Sequence, residues 1–292
     1  MSSGITDYHV LGPVQVGATT LGGITGNSVN NGIETYAEAV SGEVGARLQA
    51  ITAIKPGAAF TTMDIARAFA AAGNLPTDLS SSNLTIYASK RLRKTGLLAS
   101  GASHYKWVLA GGLLYPTRLS CAHRQMATLE YAAIGLADSD GNSPITGPTA
   151  SALPTAVDNN GWTLQSASFS GVGSTDLTNV EIDFGVSVQG EGSNSELYDS
   201  QAARLQINPV ITITGVTPAY AAAVARTGAE VTATITLRKY ANRSTFSGDT
   251  YTFTATGLAY RGQDWQGGQD SGQSQLLLAC TYDGTNAPVT AA

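Results

Sequence analysis

The stretch "GARLQAITAIKPGAAFTTMDIARAFAAAGN" (45–74) returns about half a chain later as "AARLQINPVITITGVTPAYAAAVARTGAE" (202–230). Each copy writes Ala-Arg-Leu-Gln, an apolar run, a helix-like segment and a glycine. In the first copy Thr61 is placed to cap a helix, with Asp64 three residues on facing the orphan N–H groups and the positive end of the dipole. The second copy sets Thr217 before Pro218, and proline at a first helical position already holds the required φ. Gly73 and Gly228 suit the left-handed position that closes a helix, so both helices are predicted at about three turns. With Thr62 laid on Thr217, Ile65 falls on Tyr220 and Phe69 on Val224. That i, i+4 pair places matching bulk on one packing face.

The match continues in order. Ala46-Arg47-Leu48-Gln49 overlays Ala203-Arg204-Leu205-Gln206, and downstream "YASKRLRKTGLLASG" (87–101) faces "TITLRKYANRSTFSG" (234–248). "YKWVLAG" (105–111) then faces "YTFTATG" (251–257), and the turn-like "DGNSP" (140–144) faces "DGTNAP" (283–288). Collinear similarity is the mark of an internal repeat. Residues 147–161, "GPTASALPTAVDNNG", have no apolar period and read as a linker. The expected organisation is two homologous domains, 1–146 and 162–292, joined by 147–161. A chain of 292 residues is long enough for two domains with separate cores.

Strand signals dominate each half. In "VEIDFGVSVQ" (180–189), Val180, Ile182, Phe184, Val186 and Val188 share one parity, and Glu181, Asp183, Ser187 and Gln189 take the other. "VTATITLR" (231–238) repeats the alternation with Val231, Ala233, Ile235 and Leu237, and "TYTFTAT" does so with Tyr251, Phe253 and Ala255. The predicted fold class is therefore mainly β: two homologous β-sandwich or barrel domains, each with one short flanking α-helix.

Composition narrows the function classes. Only 13% of residues are charged and 33 are glycine. The net charge of −5 is uneven: the first 150 residues hold ten Lys/Arg and nine Asp/Glu, the remainder six and twelve. That is not the clustered basic surface with which proteins grip phosphates. "MSSGITDYHVLGPVQV" lacks the basic start and long apolar core of a signal peptide, and no run reaches the ~20 apolar residues of a membrane span. Cys121 and Cys280 occupy different places in the two copies and read as buried free thiols, in keeping with a reducing cytoplasm.

Catalytic and metal signals are weak. His9, His104 and His123 all lie in the first half, with no metal-ligand spacing among them. The "CAH" of 121–123 puts Cys121 and His123 on one strand face, two ligands where zinc wants four, or three plus water. "GVGSTD" (171–176) lacks the lysine of a phosphate loop, and "SFSGVGS" lacks the form of a nucleophile elbow. No cofactor, metal or enzymatic activity is expected. One charged feature does recur: "KRLRK" (90–94) falls opposite "LRKYANR" (237–243). Lys90, Arg91, Arg93, Lys94, Arg238, Lys239 and Arg243 are accordingly candidates for contact with acidic residues of a neighbouring copy, or for guarding a sheet edge.

Two β-sandwich domains with one helix each, low charge, many Gly and Thr, long polar turns and a tandem duplication resemble the tail tube proteins of long-tailed bacteriophages. More narrowly they resemble the subclass in which one subunit carries two tube domains. The resemblance implies a structural virion protein, made and assembled in the host bacterial cytoplasm, whose rings stack into a hollow tube. DNA and a tape-measure protein pass through such a tube, and tail terminator and baseplate proteins meet its ends. Six tube domains around the axis would then require three chains per ring. Glu181 and Asp183 become candidate lumen-facing residues, because acidic walls repel phosphates over a screening length of roughly 8 to 10 Å. The competing classes are another virion protein, such as a baseplate ring or capsid decoration, and a secreted carbohydrate-binding sandwich. The latter wants an aromatic platform, whereas Trp107, Trp162 and Trp265 are scattered.

Overall fold

The computed structural model describes residues 7–38, 48–92, 95–138, 141–158, 160–169, 172–174, 177–193, 196–215, 229–241, 245–267, 272–282 and 286–292. With 67% strand and 3% helix, the chain is mainly β, as the alternation predicts. The first half contains β1 (Asp7–Val16), β2 (Thr19–Leu21), β3 (Ile24–Asn30), β4 (Ile33–Glu38), β5 (Leu48–Ile54), β6 (Gly57–Thr62), α1 (Ile65–Ala72) and β7 (Thr77–Asp78). It continues with β8 (Leu84–Leu92), β9 (His104–Leu109), β10 (Leu113–Ala122), β11 (Thr128–Ile134) and β12 (Ile145–Ser151). The second half holds β13 (Trp162–Phe169), β14 (Val172–Ser174), β15 (Leu177–Asp183), β16 (Val186–Glu191), β17 (Gln201–Ile207) and β18 (Val210–Gly215). It ends with β19 (Ala229–Tyr240), β20 (Phe246–Gly267), β21 (Gly272–Cys280) and β22 (Val289–Ala291).

One pairing scheme occurs twice. In the first half β2, β1, β8, β9 and β12 form one antiparallel sheet, while β3, β6, β11 and β10 pair in that order in another. In the second half β14, β13, β19, β20 and β22 repeat the first set, and β15, β18, β21 and β20 repeat the other. The 22-residue β20 stands in for both β9 and β10. In the first half the chain breaks between those two at Gly111 and Gly112, where Gly112 has φ 118 and a Cβ would lie 1.9 Å from the Ile134 carbonyl oxygen. Only glycine tolerates that approach.

Each half also extends a two-stranded arm, β4 with β5 and β16 with β17. The arms fix the frame of the repeat. Ile33 pairs with Ile54 and Glu38 with Leu48, while Val186 pairs with Ile207 and Glu191 with Gln201. The pairs at both ends of the arms are 153 residues apart, Val186 minus Ile33 or Gln201 minus Leu48, and between them the one-residue bulge falls two pairs later in the second arm. The Ala-Arg-Leu-Gln overlay is therefore out of register, since it places Leu48 on Leu205, four residues away from its structural counterpart. Likewise "VEIDFGVSVQ" is not one strand. Gly185, at φ 58 with the Asn208 carbonyl 2.0 Å from where a Cβ would sit, divides it into β15 and β16.

Residues 147–151, read as the start of a linker, are strand β12 paired to β9. The stretch then runs back over the first half, where Leu153 to Val157 line a cleft of about 400 Å³ with Leu11, Leu21 and Met63. The sequence hides this because the strand's outward residues, including Gly147 and Pro148, are not alternating hydrophobics.

The first helix is shorter than expected, eight residues or about two turns. Thr61 does not cap it, since both Thr61 and Thr62 belong to β6. Thr62 Oγ1 donates to the Gly22 carbonyl at 2.8 Å and accepts from Asp64 N at 3.0 Å, which ties the chain to the sheet until Asp64. Gly73 closes the helix with φ 74, its N–H reaching the Phe69 carbonyl at 2.8 Å. Ile65, Ala68, Phe69 and Ala72 form the buried face. Tyr220 and Val224 of the second expected helix lie outside the described residues.

Candidate functional site

The two halves join strand to strand. β10 pairs antiparallel with β15, Arg118 opposite Asp183 and Ser120 opposite Glu181. The result is an antiparallel sheet of eight strands in the order β3, β6, β11, β10, β15, β18, β21 and the second half of β20. Its inner face carries Phe60, Leu129, Leu119, Val180, Ile182, Ile211, Ile213, Leu276 and Leu278, all buried. The opposite face is polar around the junction, with Glu130, Arg118, Ser120, Glu181, Asp183 and Thr212, and carries exposed Leu258 and Tyr260 at its β20 end.

Glu181 and Asp183 both sit on that outer face, beside the junction. Glu181 accepts a hydrogen bond from Arg118 Nη2 at 2.7 Å, and Asp183 accepts one from Gly185 N at 2.8 Å. Glu130 stands opposite Arg118 on the other flank. The hydrogen bond to Glu181, and then the nearby charges of Glu181, Glu130 and Asp183, raise the Arg118 pKa above its ordinary value. Sequence reading missed Arg118 and Glu130, because residues that share a face only through strand pairing across 63 positions leave no local pattern.

Beneath the sheet the junction is aromatic. Phe69 of α1 lies 6.2 Å from the Tyr131 ring in its own half, and 5.9, 6.2 and 5.5 Å from Phe184, Tyr251 and Phe253 of the other. The expected packing face, Ile65 with Phe69, is buried, but Phe69 bridges the halves besides covering its own sheet. The turn after β10 also crosses over: Ala127 N donates to the Trp162 carbonyl at 2.7 Å, and Thr163 Oγ1 to the Gln125 carbonyl at 2.8 Å. From the other side the second arm leans on the first half. Ile54 N donates to the Leu197 carbonyl at 2.6 Å and Ala137 N to the Asp199 carbonyl at 2.8 Å.

At the helix start, Asp64 is buried. Its carboxylate lies 3.3 Å from Arg67 Nε and accepts from Asn160 Nδ2 at 3.3 Å. Burial pushes its pKa above the ordinary carboxylate value, and the nearby Arg67 charge draws it partly back.

The repeated cations are engaged locally. Arg91 Nη1 donates to the Gly96 carbonyl at 2.6 Å, Arg238 stacks 3.6 Å over the Phe246 ring, and Lys239 pairs with Asp249 at 3.4 Å. Lys90, opposite His9, corresponds to Lys239, opposite Trp162; the sequence overlay had set Lys90 on Leu237. Arg93, Lys94 and Arg243 lie outside the described residues. Arg91, Arg238 and Lys239 thus make contacts within the chain.

The histidines and cysteines do not converge. His104 is buried, accepting from Lys90 N at 2.9 Å through Nδ1, so its Nε2 carries the proton shared with the Ala99 carbonyl at 3.0 Å. Cys121 points into the core, but β10 ends at Ala122, and His123 lies exposed in the following turn. The shared face expected of Cys121 and His123 is lost there. Burial raises the pKa of both thiols, that of Cys280 to about 12. Among the described residues no three His, Cys, Asp or Glu side chains gather as metal ligands, and no helix is long and apolar enough to cross a membrane. No protein-family model matches the chain, and no curated protein matches it at a significant level.

Proposed function

We propose that the chain is a duplicated structural subunit of a bacteriophage tail tube, assembling in the virion into stacked rings that enclose a DNA conduit. The observation that carries this reading is the eight-strand sheet running unbroken through both halves. A sheet that already crosses from one repeat to the next is a wall segment, and its unit of extension is half a chain. The exposed face of that sheet suits a channel for DNA. Its guanidinium is occupied by Glu181, and two further carboxylates stand beside it. Such a face gives phosphates no cationic stripe on which to exchange counterions, so it does not retain the polymer it conducts.

The resemblance to tail tube proteins implies six tube domains per ring, so with two repeats per chain three chains close one ring of exact three-fold and approximate six-fold symmetry. Rings with different top and bottom surfaces stack head to tail without closing, which yields filaments. Electron microscopy of the purified protein tests this. Hollow filaments whose cross-section reconstructs as three chains are expected. Six chains per ring, or dispersed single chains at every concentration with and without other tail proteins, would overturn the proposal.

A further inference from the structure

The contact between the two halves leaves each half with a surface that the other half uses and it does not. β15 receives β10 along one edge, whereas its counterpart β3 pairs only with β6 among the described residues. β10 is covered by β15, whereas Gln263 to Gly267, the counterpart segment of β20, pair only with β21 among the described residues. Through the pairs Glu130 with Arg118 and Gln275 with Gln263, Arg118 corresponds to Gln263. By the 153-residue frame, Asp183 corresponds to Asn30.

The same holds off the edge. Tyr251 and Phe253 are packed by Phe69, but among the described residues no such ring lies over their counterparts: Tyr105 is 41% exposed and Trp107 half-buried. The ring contact Trp162 with Tyr251 is repeated by His9 with Tyr105, so the platform is built and lacks its cover. A cleft of about 290 Å³ lies there, lined by His9, Val10, Asn27, Tyr87 and Trp107 among others. Ala137 is buried next to the second arm, and its counterpart Tyr282 is exposed. Trp265 is 47% exposed, its ring over Gly272 next to the unpaired edge.

We infer that a second copy of this chain completes these surfaces by repeating the internal contact. Gln263 to Gly267 of one chain add antiparallel to β3 of the next, with Gln263 opposite Asn30 where Arg118 stands opposite Asp183. The first arm, β4 with β5, then seats beside Tyr282 of the preceding copy. The inference rests on the tube reading for the side-by-side arrangement of copies, and it adds the register and the direction. It also assigns different chemistry to the two kinds of junction. Inside the chain Arg118 and Glu181 form an ion pair, whereas Gln263, Asn30 and Ser28 hold the corresponding places between chains. The junction between chains is uncharged at these places and less sensitive to salt.

The test is cross-linking in the assembled protein. Asn30→Cys with Gln263→Cys, oxidised or bridged by a short bismaleimide, is expected to give covalent dimers and trimers. Arg118→Cys with Asp183→Cys closes within one chain, and wild type, with its own two cysteines, gives no ladder. Tubes that form normally from the Asn30→Cys, Gln263→Cys protein without a ladder overturn the register and leave the tube reading standing. Failure of wild type to assemble at all removes both. Tyr105→Asp supplies a second measurement: its urea midpoint as a single chain stays at the wild-type value while assembly is lost. Normal assembly of this variant refutes the completed cleft.

Discussion

The two arms are the same hairpin in two situations. β4 with β5 and β16 with β17 have equal length and equivalent pairing, yet every described residue of β4 is exposed while β16 alternates between half-buried and exposed. Their surroundings differ. The second arm has the first half to lean on, through Leu197 and Asp199, and nothing described within the chain stands in that place for the first arm. Exposure of Ile33, Tyr36 and Ile51 is thus a matter of position in the repeat. Exposed apolar residues gathered on one element mark a contact surface more often than a defect.

The comparison can be broken most severely at the helix. Phe69→Asp places a charge among four aromatic rings drawn from both halves, and we expect a loss of about 3 to 5 kcal/mol in urea unfolding. Because three of those rings belong to the second half, both halves should lose stability together. A variant in which the second half unfolds at its former midpoint would show that the halves are energetically separate. The arms themselves come next. Val186, partly buried against the core, should cost about 2 kcal/mol when changed to Asp. Its counterpart Ile33, 53% exposed, should change the stability of a single chain by no more than ~0.5 kcal/mol under the same substitution. Equal losses in the two variants would refute the positional account.

A pH titration sharpens the contrast at the helix start. The buried Asp64 keeps its proton at pH values where the unfolded carboxyl, with its ordinary value of 3.8, has lost it. The stability this contributes is complete below the unfolded value and is lost as pH rises through the folded one. Asp64→Asn cannot titrate, so wild type should lose stability relative to it across that interval. A flat or rising difference would show that Arg67 outweighs burial. The 153-residue frame sets Thr217 at the corresponding place of the second half, so only the first half should carry this dependence. The smallest effect belongs to Arg118→Gln. Its half-exposed pair with Glu181 should be worth a few tenths of a kcal/mol, and less in high salt. A loss above about 1 kcal/mol would mean that the internal junction depends on charge.

Much of this fold was written in local pattern. Alternation gave β15, β19 and β20 their faces, and the overlays of "YKWVLAG" on "YTFTATG" and of Pro144 on Pro288 agree with the strand pairing. The Ala-Arg-Leu-Gln overlay disagreed because it lies on arms, where few side chains are buried and four matching letters carry little constraint. Pro56 and Pro209, each followed at once by a sheet strand, would have held the frame better. The junction was not legible. Arg118 meets Glu181, and Phe69 meets Phe253, only because β10 and β15 share an edge, and pairing between distant strands is a property of topology.

The single strand β20 has a mechanical consequence. In the second half, the two sheet layers are tied by one uninterrupted backbone, so sliding one layer over the other must bend or stretch covalent structure. In the first half the same layers meet through a turn at Gly111 and Gly112, whose carbonyls accept from Leu136 N at 3.4 Å and Leu79 N at 2.9 Å. Shear between the layers therefore loads hydrogen bonds of a turn in one half and the covalent backbone of a continuous strand in the other.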